Sequence, residues 1–170
     1  MTEQDQLAIL HQGRDVRNQW RQEHHAIQPD FSGEDFRGAH LSRVNLAGAD
    51  FSGADLREAL LIRADLSEAI LSQAQLVRAD LQGANLTAAI LSDANLSDAV
   101  LSDADFSGAI LTGAEVTGTD FSGVDFREAD LTGIDFSKAN TEITVSARRI
   151  PIPIGQMAIN LLMLLCATLF

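Results

Sequence analysis

The chain has one cysteine, Cys166, which excludes an internal disulfide framework and any multi-cysteine metal site. Histidine is scarce as well. His11, His24, His25 and His40 include one adjacent pair, His24-His25, with no cysteine near it, and a zinc site needs several converging ligands. No nucleophile elbow, phosphate-cradling glycine loop or HExxH is present. No charged stretch followed by an apolar run opens the chain, which argues against a cleaved export signal. Bases are also in deficit: residues 30–138 hold nineteen acids against seven bases, which accounts for the formal charge of −12. Direct nucleic-acid binding is therefore not expected. No cofactor is expected, nor an enzyme: carboxylates abound, but their positions are explained by turns, as follows.

What the chain does have is a period of five. From Phe31 to Phe136 every fifth residue is a large apolar side chain, twenty-two times without a slip. Two residues before each centre stands Ala in sixteen repeats, and one before it Asp or Asn in fourteen, as in Ala49-Asp50-Phe51-Ser52-Gly53. Neither the helical nor the strand period keeps such residues on one face. A coil that turns a corner once per repeat does. Each side then takes one bulky group if its inward neighbour is small, Asp and Asn bond nearby backbone at the corner, and Gly eases the following position.

These residues resemble the pentapeptide repeat family over roughly residues 30–140. The resemblance implies an all-β solenoid, a right-handed quadrilateral β-helix with four pentapeptides to a coil, here about 5.5 coils, or a column of roughly 26 Å at strand spacing. Taking every twentieth centre gives the interior stacks, and Phe falls at both ends with Leu between, as expected if the terminal layers are packed with larger groups. Residues 1–29 read as an N-terminal helical cap: Leu7, Ile9, Leu10, Val16 and Trp20 recur at helical spacing, with Gly13 as a break and Pro29 as a stop. An open β-helix end needs such a cover, and Trp20 is expected over Phe31 and Phe36. Asn18-Gln19-Trp20-Arg21 also resembles the leader of cyanobacterial members of the family.

Residues 141–153 read as a linker and 154–170 as an apolar C-terminal helix. Ile150 to Phe170 carries no charge, and Arg148-Arg149 precedes it. Such a segment is a membrane anchor with the column on the cytoplasmic face, a cap, or a homodimer helix. Without membrane attachment the protein is expected in the cytoplasm.

Candidate partner-binding residues are departures from the repeat. Ile70, Ile90 and Ile110 replace the corner Asp on one face in consecutive coils. Leu60 and Val100 do so on the opposite face, with Ile62 beside Leu60. Arg37 and Arg57 stack on one face with Arg78 near them, and Arg43 and Arg63 stack on the adjoining face, so the first three coils carry a basic ridge. The function expected is a non-enzymatic scaffold for an unknown protein partner. The alternative is an acidic DNA mimic acting on DNA gyrase or topoisomerase, which the fluoroquinolone-resistance members of the family suggest.

Overall fold

The computed structural model describes residues 9–10 and 12–140. From Asp30 to Asn140 the chain is joined by isolated parallel bridges, each linking a corner residue to the one twenty positions on, from Asp30↔Asp50 through Ile70↔Ile90 to Asp120↔Asn140. Twenty residues are four pentapeptides, so the chain turns four corners before meeting itself. The one gap in the series, between Glu115 and Asp135, falls where the chain enters a 3-10 turn at Phe136–Lys138.

The backbone donors show why a pentapeptide closes one side. In the Leu66 repeat, Leu66 N–H donates to Asn85 O at 2.7 Å and Glu68 N–H to Thr87 O at 2.9 Å, both one coil ahead. Ile70 N–H donates to Ala49 O one coil behind at 2.9 Å, and Ala69 N–H closes the corner onto Leu66 O at 3.1 Å. The fifth donor, Ser67 N–H, goes to the Asp65 side chain at 3.1 Å. All fourteen corner Asp and Asn residues accept in this way from the N–H two residues on. The repeat thus uses every backbone donor it has.

Each corner needs a left-handed residue two after the centre. Ten of these positions are Gly, but eleven others, among them Arg43, Arg63, Gln73 and Asp93, adopt positive φ too. The ladder bonds on either side hold them there against a cost of about 1 kcal/mol each. At Gly113 the absent Cβ leaves room for Asp93 Oδ1, which would lie 2.5 Å from it and have to turn aside.

Inside the square, centres from Leu41 to Phe121 and the alanines from Ala49 to Ala109 are buried almost completely. Phe31, Phe36 and Phe51 cluster at one end with ring centroids 5.1–5.6 Å apart, and Phe106, Phe121, Phe126 and Phe136 at the other, 5.5–6.2 Å apart. This is the expected Phe-Leu-Phe distribution. Thr119 is buried at an alanine position and donates its hydroxyl to Leu96 O at 2.8 Å.

Helix α1, Arg14–Glu23, precedes the repeats and buries no residue of its own. It meets the first coil through polar side chains. Arg17 donates to His40 O at 2.9 Å, Arg21 to Ala47 O at 2.7 Å, and Asn18 both donates to Arg43 O at 3.0 Å and accepts from Asn45 N–H at 2.8 Å. His40 O, Ala47 O and Asn45 N–H occupy ladder positions that, in later coils, bond the coil behind. Trp20 stacks on His24, centroids 4.8 Å apart. It lines a cavity of about 20 Å³ with Leu10, Pro29, Phe31 and Leu46, but Phe36 is not part of that lining.

The linker 141–153 and the apolar helix 154–170 lie outside the described residues. Among the described residues no helix is long and apolar enough to cross a membrane.

Candidate interaction faces

Asp at a corner holds the N–H two residues on, so an apolar residue there gives that bond up. Ile70, Ile90 and Ile110 stand in consecutive bridges, Ile70↔Ile90 and Ile90↔Ile110, bounded by Asp50 below and Asp130 above. Among the described residues the N–H groups of Ser72, Ser92 and Thr112 lack the corner bond that their counterparts Ser52 and Thr132 have. Each such bond is worth about 1 kcal/mol. The ladder that results is outward-facing, with Ile110 38% exposed and Ile70 and Ile90 half-buried. In the preceding left-handed positions Ala88 and Gly108 leave the face smooth beside Ile90 and Ile110, while Glu68 stands beside Ile70.

Leu60 and Val100 do not form a matching ladder. They belong to one stack, but Asp80 sits between them, Leu60↔Asp80 and Asp80↔Val100, and a carboxylate breaks the apolar strip. Val100 is 38% exposed by itself, while Leu60 and Ile62 adjoin on the second coil and are half-buried.

The arginines divide in two. Arg37 pairs with Asp35 at 2.6 Å and Asp55 at 3.7 Å, and Arg57 with Asp55 at 2.5 Å. The Arg37 guanidinium and its backbone N–H both bond Asp35 and hold its carboxyl down to about 2. Arg78 lies 3.8 Å from Glu58. These three form a charge-compensated ridge whose exposed pairs contribute little stability. Arg43 and Arg63 stack at the next corner, exposed, in left-handed backbone at φ 59 and 54.

Sequence reading missed the polar contacts of α1. Their signal was present: Arg17, Asn18 and Arg21 share one helix face by spacing. Thr119 was legible only as a break in the alanine column. Among the described residues no group of His, Cys, Asp or Glu is arranged to hold a metal ion.

A family profile for pentapeptide repeats matches residues 27–58, 49–87, 59–98, 79–118, 89–127 and 111–140 in eight copies. No curated protein sequence matches. Similar solved structures include a pentapeptide repeat protein of the Arabidopsis thaliana thylakoid lumen, 30% identical, covering 68% of each chain with a TM-score of 0.37. Another is Rfr23 of the cyanobacterium Cyanothece, 28% identical over 78% of this chain and 99% of that one, TM-score 0.38. A third is QnrB1, a plasmid-mediated fluoroquinolone resistance protein, 22% identical over 65% and 69%, TM-score 0.35.

Proposed function

This chain belongs to the pentapeptide repeat family, whose members fold as right-handed quadrilateral β-helices, and from that premise we propose a non-enzymatic scaffold that binds another protein along its isoleucine face. In this reading α1 covers the N-terminal end of a column of about five and a half coils, and the flat sides are the working surfaces. The observation that carries it is the Ile70-Ile90-Ile110 ladder. Three corner hydrogen bonds are given up there to put apolar side chains outside, and cross-strand pairing of aliphatic groups returns only about 0.2–1 kcal/mol per pair.

The triple substitution Ile70→Asn, Ile90→Asn and Ile110→Asn tests this directly, because Asn restores the corner bond that Asn85 and Asn95 make in place. The expected result is a melting temperature equal to or above the wild type's, with loss of the partners that cross-link to the native protein at this face. An unfolded variant, or one that keeps those partners, would show the ladder to be structural.

The uncharged stretch Ile150–Phe170 behind Arg148-Arg149 favours a second element, attachment of the column to a membrane by its tail. The full-length protein should then stay in the membrane pellet through a carbonate wash, and a chain ending at residue 149 should be released. Release of both would remove the tether from the proposal and leave the scaffold standing. The gyrase alternative draws less support, since a DNA mimic needs an evenly anionic column and the first coils carry Arg43 and Arg63.

A further inference from the structure

Of the seven bases in residues 30–138, five are engaged: Arg37, Arg57, Arg78, Arg127 and Lys138 each lie within ion-pair distance of a carboxylate. The guanidiniums of Arg43 and Arg63 have neither an ion-pair nor a hydrogen-bond partner among the described residues. They occupy the same corner of consecutive coils, one strand spacing or about 4.8 Å apart at the backbone. Arg43 N–H donates to Ile62 O at 2.9 Å, which fixes that register. Like charges stacked directly across a ladder repel. The same stacking at Arg37 over Arg57 is relieved by Asp35 and Asp55, so the chain has a means of neutralising such a pair and does not use it here. Leu60, where a corner Asp would otherwise stand, and Ile62 belong to the same side of the coil as Arg63, and it is Ile62 O that receives Arg43 N–H.

We infer that the corner formed by Arg43 and Arg63 with Leu60 and Ile62 is a docking site for an acidic segment of another protein. A carboxylate meets each guanidinium, and an aliphatic side chain of the segment rests on Leu60 and Ile62. The column as a whole carries a net charge of −12 even with these two arginines counted, so the rest of it repels such a segment and confines it to this corner. The same field opposes nucleic acid, whose charges recur about every 1.7 Å and cannot all be answered by two arginines. The site lies two pentapeptides from the isoleucine ladder, across the square, and stands independently of it.

The test uses the full-length protein and a short fluorescein-labelled peptide of glutamate and leucine, read by anisotropy. Gln73 already occupies the equivalent left-handed position at φ 60, so Arg43→Gln with Arg63→Gln keeps the fold. That double variant should bind roughly tenfold more weakly, and Arg37→Gln with Arg57→Gln should change affinity less than about twofold. Leu60→Asn, which supplies a corner acceptor, should weaken binding roughly threefold. Absence of binding by the wild type, or equal losses from the two arginine pairs, would overturn the site. An unchanged affinity in Leu60→Asn would overturn the assignment to a peptide in favour of a bare anion.

Discussion

Leu91→Ala is expected to lower the unfolding free energy by about 2–5 kcal/mol in urea titration. Leu91 is fully buried in a stack between Leu71 and Leu111 and is flanked by Ala89 and Ala94, also fully buried. A cavity opened there cannot close easily. The coil on one side is held by Leu91 N–H to Ile110 O at 2.7 Å and the coil on the other by Leu71 N–H to Ile90 O at 2.6 Å. Those bonds fix the spacing that the missing side chain would otherwise let collapse. In a column where each coil contacts only its neighbours, a mid-column cavity weakens two interfaces. At Leu131, half-buried in the final coil, the same substitution should cost roughly half as much or less. Equal costs at the two sites would mean that the interior relaxes around a missing leucine and that the square is not stiff.

The interior was legible because a five-residue period has few geometric solutions. Phe31 to Phe136 in constant register required a corner per repeat, and the Ala two residues before sixteen of the twenty-two centres gave the width of the square. Asp and Asn were legible as corner acceptors, since their short side chains reach the N–H two residues on. The outward faces were less so. That Arg37 and Arg57 are compensated while Arg43 and Arg63 are not depends on which carboxylate sits within reach after stacking, a matter of coil register combined with side-chain direction. Leu60 and Val100 share a stack, yet the Asp80 between them appears only when the corners are counted by twenties. Left-handed backbone at Arg43, Gln73 or Asp93 was hidden because composition points to glycine there, and the ladder overrides that preference.

Asn18→Ala combined with Arg21→Ala is expected to destabilise the protein by about 2–4 kcal/mol and to make it associate with itself. Asn18 satisfies a donor and an acceptor at once, Asn45 N–H at 2.8 Å and Arg43 O at 3.0 Å, and Arg21 bridges Ile27 O at 2.6 Å and Ala47 O at 2.7 Å. In every later coil the counterparts of Asn45 N–H and Ala47 O bond the coil behind, as Asp65 N–H does to Val44 O at 3.0 Å. Among the described residues the first coil has no coil behind it, and the polar side chains of α1 take that place. Removing the two side chains leaves a row of strand-like donors and acceptors that a second column can complete end to end. Sedimentation velocity over a range of concentrations should therefore show the variant moving to larger species where the wild type does not. Asn18→Asp separates the two bonds: its carboxylate still accepts from Asn45 N–H but faces Arg43 O without a donor, so it should lose roughly half of the stability lost on removing Asn18 altogether. A double variant with wild-type stability and unchanged sedimentation would mean that α1 lies on the column without closing it.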